Sequence, residues 1–399
     1  MFLIIKTFND LCTNEFLLYL YVAYRNFKEG VLVAIKITLG NSKGGVGKTT
    51  TTCLLAISLA KHFNQRVLVV DFDAQADATD FLMRTFQVNK DLTNHLSIFD
   101  AIKSPKRSQE AVLVLDDNLH LLPSGEELSG LDLLLLEKGV FGKFEAGLYL
   151  DLVIQQIEHE YDFILFDVPP TSNIQNINAI VASDYYIGVM MTQAKSYRQM
   201  AGFLKESEKT AASARESKYG YEGAELLGIL MYLENKKSNI DFTVISAALE
   251  TYGDAILYSR VYERERVKRY DLIPPNPNKF DQHDKKIFAM YDSLAHEILM
   301  RVGKIPATEP KLRIQQLLDL AADSLNRDEY NTLATAFDAA QFYRDDATEA
   351  RDFTAAQLAT VLRDIFENAP AQKRRTYIHR ILDWLQTDED LKSLQHVFA

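Results

Sequence analysis

Residues 41–50 read Asn-Ser-Lys-Gly-Gly-Val-Gly-Lys-Thr-Thr, between an apolar run at residues 31–39 and a helix-like segment at residues 51–62. A glycine-rich turn between a strand and a helix presents backbone N–H groups, a lysine and a hydroxyl to one point. These are the groups that hold a nucleoside triphosphate and its Mg²⁺. The stretch therefore predicts a phosphate-binding loop.

Glycines allow the backbone of such a loop to approach phosphate oxygens, because no Cβ stands in the way. Lys48 is expected to reach the β- and γ-phosphates and Thr49 to hold Mg²⁺, while the following helix directs its positive dipole end at the same anion. The predicted nucleotide contacts are Lys43, Gly44, Gly45, Val46, Gly47, Lys48, Thr49 and Thr50.

Lys43 stands just ahead of the glycines, and Ser42 occupies a position where the usual phosphate-loop pattern has glycine. The segment thus resembles the deviant Walker A motif of the ParA/MinD family of ATPases. The resemblance implies that Lys43 is the signature lysine, which in this family reaches the partner's phosphates across a nucleotide-sandwich dimer. It also implies a mostly parallel, doubly wound α/β sheet of the P-loop NTPase type, with ATP and Mg²⁺ as cofactors. It covers the chain from about Leu32 to Val302.

Two aspartates, Asp71 and Asp73, follow the β-branched run at residues 67–70. The carboxyl end of a strand beside the phosphate-loop strand borders the crevice where doubly wound sheets bind ligands. Asp73 with Thr79 resembles the family's Asp-x-Gln…Thr switch, which implies that Asp73 positions the attacking water and acts in catalysis together with Lys43. Asp71 is expected to support the Mg²⁺ and phosphate shell, or to serve as a metal ligand. The alternative is that both aspartates cap the next helix.

Residues 161–170 form a second anchor, an apolar run that ends in Asp167 and two prolines. Such a run is typical of a strand buried on both faces of a parallel sheet. Asp167 is interpreted as the Walker B aspartate, which acts on Mg²⁺ through a water because this cation keeps most of its hydration shell. Strand-like and helix-like segments continue to alternate up to residue 302, which indicates right-handed crossovers.

The densest basic cluster follows, with glutamates between its members; it comprises Arg260, Arg264, Arg266, Lys268 and Arg269. In ParA-type proteins, basic residues near the end of the ATPase domain bind DNA phosphates without reading sequence. The alternative is a solvated helix face with paired charges. Because the net charge is −11, DNA binding is expected to be local.

The chain is predicted to have four parts: an N-terminal extension (1–30), the ATPase domain (31–304), a linker (305–310) and an added C-terminal all-helical bundle (311–399). Residues 16–24 are apolar, but they make up about half of the roughly 20 residues that a membrane-spanning helix needs. For the extension three readings stay open: a helix packed on the fold, a partner-binding segment, or a region that is not translated.

Composition favours a soluble globular protein, with 47% hydrophobic and 25% charged residues. The two cysteines, Cys12 and Cys53, cannot build a disulfide framework, which favours a reducing cytoplasm. Cys53 is expected to be a small buried apolar residue.

The predicted function is that of a ParA-type partition ATPase. ATP would close a homodimer that binds nonspecific DNA at the nucleoid, and a centromere-binding ParB-type partner would stimulate hydrolysis of ATP to ADP and phosphate. The alternative is a MinD-type membrane-surface positioning ATPase. The basic amphipathic segment at residues 373–385 would suit anionic lipid, but Asp388, Glu389 and Asp390 follow it and disfavour a membrane role.

Overall fold

The computed structural model describes residues 34–41, 43–88, 92–170, 173–234, 239–262, 265–270 and 272–304. Its centre is an eight-stranded sheet with the strand order β3-β4-β2-β5-β1-β6-β7-β8. The strands are β1 (Ile35–Gly40), β2 (Val67–Asp71), β3 (Leu113–Asp116), β4 (Leu119–Leu122), β5 (Phe163–Asp167), β6 (Tyr185–Met191), β7 (Glu225–Glu234) and β8 (Ile256–Tyr262). All neighbouring strands run parallel except β3, which is antiparallel to β4.

Helices connect the strands and cover both faces of the sheet. They are α1 (Lys48–Lys61), α2 (Asp77–Thr85), α3 (Ile98–Lys103), α4 (Ser108–Ala111), α5 (Leu131–Glu137), α6 (Tyr149–Ile154), α7 (Ile174–Ala182), α8 (Ala194–Arg215), α9 (Asn239–Tyr252), α10 (Glu265–Arg269) and α11 (Gln282–Arg301). Short 3₁₀ turns complete the connections.

The central strands are apolar on both sides because each side faces a helical layer. All five residues of β5 are buried, and so are all five of β2. One core packs α1, α2 and α11 against the sheet, and a second core packs α3, α5, α6 and α7 against the opposite face. Removing this much apolar surface from water is the main stabilising contribution to the fold.

The predicted mostly parallel α/β architecture is confirmed. Two strands were not predicted from the sequence: the short edge strand β3, and β8, which carries part of the predicted basic cluster. The segments predicted as an N-terminal extension (1–30), a linker (305–310) and a helical bundle (311–399) lie outside the described residues. None of the described helices has the length and apolar composition needed to cross a membrane.

Candidate nucleotide site

The phosphate loop connects the carboxyl end of β1 to the first residue of α1. Gly45 and Gly47 have positive φ values of 70° and 81°, in the left-handed region that favours glycine. The carbonyl of Gly47 accepts the first helical hydrogen bond, from Thr51 N at 2.8 Å. The loop is therefore a sharp strand-to-helix turn at the carboxyl edge of the sheet, as predicted.

The two lysines that flank the glycines have different surroundings. Lys48 is 6% exposed, and its Nζ donates to the carbonyl of Lys43 at 3.4 Å. Burial lowers the pKa of Lys48, while the charges of Asp167 and Asp73 act in the opposite direction. The ammonium of Lys43 instead donates to Gln193 Oε1 at 2.9 Å, at the start of α8.

Asn41 anchors the loop at its base, a role that was not predicted from the sequence. Its side chain is buried, and its Nδ2 donates to the carbonyl of Val189 on β6 at 2.6 Å. Its Oδ1 accepts a hydrogen bond from Lys43 N at 2.9 Å. A single amide side chain thus fixes the start of the loop to the neighbouring strand.

Asp71 is fully buried, and its carboxylate organises the segment that follows β2. Oδ2 accepts hydrogen bonds from the backbone N–H (2.8 Å) and the hydroxyl (2.7 Å) of Thr79, while Oδ1 accepts from Asp73 N at 3.2 Å. Burial raises the pKa of Asp71, although the Thr79 bonds oppose the shift. With these acceptor contacts, Asp71 holds the loop and the first turn of α2, which supports the site from behind.

Asp73 lies at the mouth of the crevice and is partly buried. Its Oδ1 accepts from Gln75 N at 3.1 Å, and its carbonyl accepts from Ala76 N at 3.0 Å. The N-cap of α2 is Ala76, with no side-chain cap. The alternative that both aspartates cap α2 therefore does not hold for Asp73. Asp71 does accept a hydrogen bond from the backbone N–H of Thr79, in the first turn of that helix.

Asp167 lies beside Asp71 because the two residues are register partners on β5 and β2. It is 1% exposed. Burial, followed by the charge of Asp71, raises the pKa of Asp167, and the side chain of Thr49 lies near enough to oppose the rise. Its Oδ1 has no hydrogen-bond partner among the described residues, although buried polar atoms are normally paired.

The surroundings of Asp167 fit a hydrated cation. In the described part of the chain, no group of three or more His, Cys, Asp or Glu side chains is arranged to hold a metal. A hydroxyl beside a buried carboxylate with a spare oxygen instead suits Mg²⁺, which takes few protein ligands and keeps its waters and phosphate oxygens. Thr49 and Asp167 are the residues that would hold it.

The predicted basic cluster is not one continuous surface. Arg260 lies on β8 and is only 3% exposed. Arg266 donates to Asp284 at 2.9 Å and to Asp281 at 2.8 Å, whereas Arg269 is exposed. Arg264 lies outside the described residues, as does the side chain of Lys268. The three arginines whose side chains are described therefore do not share one exposed face.

The expectation that Cys53 is a small buried residue is confirmed. Cys53 is completely buried in α1, and burial raises the pKa of its thiol. His120 lies on β4, where an alternation with apolar residues is typical of a hydrogen-bonded sheet histidine, and its Nδ1 contacts the hydroxyl of Tyr161 at 3.0 Å. Neither residue belongs to the site.

Relatives resemble this chain over the region that contains the site. A family model described as an AAA domain matches residues 34–217. An uncharacterised protein of Pseudomonas putida is 32% identical over 267 residues, which is 66% of this chain and 94% of that protein. A ParA family protein of Chlamydia pneumoniae is 29% identical over 42% of this chain and 64% of its own length. The chromosome-partitioning ATPase Soj of Thermus thermophilus is 26% identical over 67% of this chain and 96% of its own length.

A solved structure agrees with the fold. The plasmid partition protein of Borrelia burgdorferi bound to AMPPNP superposes with a TM-score of 0.53 and 24% identity, covering 68% of this chain and all of that one. The deviant phosphate loop, the aspartates at the ends of β2 and β5, and the relatives lead to one assignment: this chain belongs to the ParA-type ATPase family.

Proposed function

We propose that the chain is a partition ATPase, which binds ATP and Mg²⁺, closes into a homodimer on ATP, and hydrolyses ATP to ADP and phosphate. The observation that carries the proposal is the grouping of two lysines and three aspartates around one glycine turn. The names of two relatives, a chromosome-partitioning ATPase and a plasmid partition protein, agree with it.

Each side chain of the site has a distinct part in the proposed mechanism. The loop N–H groups and buried Lys48 bind the phosphates, while Thr49 and Asp167 hold the cation. The cation, when bound, neutralises negative charge on the phosphates. Asp73 accepts a hydrogen bond from the attacking water and orients it, and Asp71 keeps the Asp73 backbone in place.

Lys43 is proposed to join the two protomers. Its ammonium donates to the neutral amide oxygen of exposed Gln193. A phosphate oxygen is negatively charged and accepts a stronger hydrogen bond, so a nearby phosphate can replace Gln193 as the partner of Lys43. ATP can shift the monomer–dimer equilibrium only through contacts that favour the dimer, and a lysine that reaches the partner's phosphates supplies such a contact.

DNA binding by the ATP dimer is the second part of the proposal. Because Arg260 is buried and Arg266 is paired with Asp281 and Asp284, exposed Arg269 is the described member of the cluster most available to a DNA phosphate. Two protomers would double such contacts, and the binding should weaken as salt rises. A ParB-type partner is proposed to stimulate hydrolysis and so release the DNA.

Retention on an arbitrary DNA duplex tests this proposal directly. The full chain is compared with ATP, with ADP and without nucleotide, and anionic vesicles serve as a parallel arm. We expect ATP-dependent, salt-sensitive retention on DNA and none on vesicles. Retention on vesicles alone would favour the membrane-surface alternative. ATPase rates with DNA and with a candidate partner then test stimulation.

A further inference from the structure

A buried tyrosine lies directly behind the phosphate loop. Tyr232 is at the carboxyl end of β7, is 3% exposed, and is the register partner of Met191 on β6. A Cβ placed on Gly47 would overlap the Cε1 and Cζ atoms of the Tyr232 ring. The ring therefore fills the space that any larger residue at position 47 would need.

Gly45 provides a contrast within the same loop. Its φ of 70° is as left-handed as that of Gly47, yet a Cβ placed on it would meet nothing within 4 Å. Backbone conformation alone therefore favours glycine at position 45, whereas position 47 is restricted by both conformation and the ring.

The ring of Tyr232 is itself supported by the last helix of the described region. Tyr291 of α11 is fully buried, and its hydroxyl lies beside the hydroxyls of Tyr232 and Thr51. Thr51 belongs to the first turn of α1, which begins at the loop. The loop, the ring and α11 thus form one packed unit, in an interior where side chains have little room to shift.

We propose that Tyr232 is a positioning residue for the phosphate loop. Its ring holds Gly47 in the left-handed conformation from which α1 starts, and Tyr291 holds the ring. The inference rests on the proposed binding of ATP at this loop and adds a residue to it. Since the ring touches the loop backbone, Tyr232 acts through the loop.

A double-mutant cycle tests the assignment. Gly47→Ala is made in the wild-type chain and in a Tyr232→Leu chain, and the Kd for a fluorescent ATP analogue with Mg²⁺ is measured for each full-length protein. In the wild-type background the added methyl meets the ring, so we expect the Kd to rise by about 100-fold or more. In the Tyr232→Leu background the ring is absent and mainly backbone strain remains, so Gly47→Ala should raise the Kd by about ten-fold.

Gly45→Ala is the matched control, because it imposes similar backbone strain without meeting the ring. Its effect on Kd should be the same in both backgrounds. Tyr232→Phe keeps the ring atoms that a Cβ at position 47 would meet, so in this background Gly47→Ala should raise the Kd by about as much as it does in wild type. Thermal unfolding of each variant establishes that it is folded, and Tyr232→Met replaces Tyr232→Leu if the latter does not fold.

Equal costs of Gly47→Ala in the two backgrounds would overturn the assignment of Tyr232. That result differs from failure of the proposed function, in which the wild-type chain itself would not bind the ATP analogue.

Discussion

Asp71 and Asp167 are adjacent across two strands, yet their surroundings give them different tasks. Asp71 is occupied by hydrogen bonds from Thr79 and Asp73, whereas Asp167 keeps one oxygen without a partner among the described residues. A buried acceptor that is fully paired belongs to the framework, and one with spare capacity suits a ligand. The hydrogen bonds therefore support the proposal that Asp71 is structural and that Asp167 would bind the cation.

Thr79→Val tests the framework role. The substitution keeps the shape but removes the hydroxyl that donates to Asp71 and accepts from Ser124 N at 3.1 Å. Asp71 Oδ2 would keep the bond from the backbone N–H of Thr79 but lose the hydroxyl, and the Ser124 N–H would lose its acceptor, which should cost about 1–3 kcal/mol in the free energy of unfolding, measured by urea denaturation. Thr85→Val is the control, because the buried Thr85 hydroxyl has no partner among the described residues and its loss should be neutral or stabilising. Equal losses in the two variants would contradict the assignment.

Asp73→Ala tests the catalytic role. We expect the ATP dimer to form and persist, while turnover falls by about 10²–10⁴-fold, the usual contribution of a group that positions or deprotonates water. Steady-state phosphate release measures turnover, and light scattering measures the dimer. Asp80→Ala, which removes an exposed aspartate of α2, should leave both unchanged. Wild-type turnover in Asp73→Ala would remove this residue from the mechanism.

At the scale of elements, α1 is held between the sheet and α11. Asp292 of α11 accepts hydrogen bonds from Ser58 at 2.5 Å and from His62 at 2.6 Å, both near the end of α1. The His62 ring also meets the rings of Phe280 and Phe288 edge-on. The carboxyl end of α1 is thus attached to α11 by hydrogen bonds to Asp292, one of which involves the titratable side chain of His62.

This contact predicts a pH dependence of stability. The hydrogen bond to Asp292 raises the pKa of His62 above its ordinary value, despite the opposing effect of partial burial. The contribution of the pair is therefore fully present below about pH 6.5, the unfolded value, and is lost as the pH rises through the folded value. The difference in Tm between wild type and Asp292→Asn should be larger at acidic than at alkaline pH.

Two variants separate this effect from general titration of the protein. His62→Gln should remove the pH dependence of that difference, whereas His283→Gln, which replaces an exposed histidine of α11, should preserve it. If the Tm difference between wild type and Asp292→Asn does not change with pH, protonation of His62 does not contribute to the stability of the folded protein.

The sequence predicted elements with strong local signals and missed those set by distant contacts. The phosphate loop, α1, β2 and β5 were predictable because glycines, β-branched runs and terminal aspartates mark them. β8 was missed because Arg260, within Ile256–Tyr262, was assigned to a predicted basic cluster, although its side chain is buried once β8 pairs with β7. The roles of Asn41 and Tyr232 were missed because the bond from Asn41 to Val189 and the contact of Tyr232 with Gly47 join residues that are distant in the sequence and form only with the sheet.

At the scale of the whole molecule, the site lies at the carboxyl ends of the central strands β1, β2 and β5, which are neighbours in the sheet. Parallel strands gather their terminal side chains at a single edge, and the reversal of strand order beside β1 opens the crevice there. One protomer supplies the loop, Lys48 and the aspartates. Lys43, whose ammonium donates to Gln193, is proposed to contact the nucleotide bound by the second protomer of a dimer.

Lys43→Ala tests the central claim. Because Lys48 and the loop N–H groups remain, the variant should still bind a fluorescent ATP analogue with Mg²⁺ within about ten-fold of wild type. It should not form the dimer that the wild-type chain forms with the analogue. Lys195→Ala, which removes an exposed lysine near Gln193, is the matched control and should dimerise normally.

The most direct measurement is the molar mass of the full chain by multi-angle light scattering, with and without the non-hydrolysable analogue. If Lys43 joins the two protomers, the analogue should double the mass of wild type and of Lys195→Ala and leave the mass of Lys43→Ala unchanged. A doubled mass for Lys43→Ala at the same analogue concentration would show that Lys43 is not needed for the dimer.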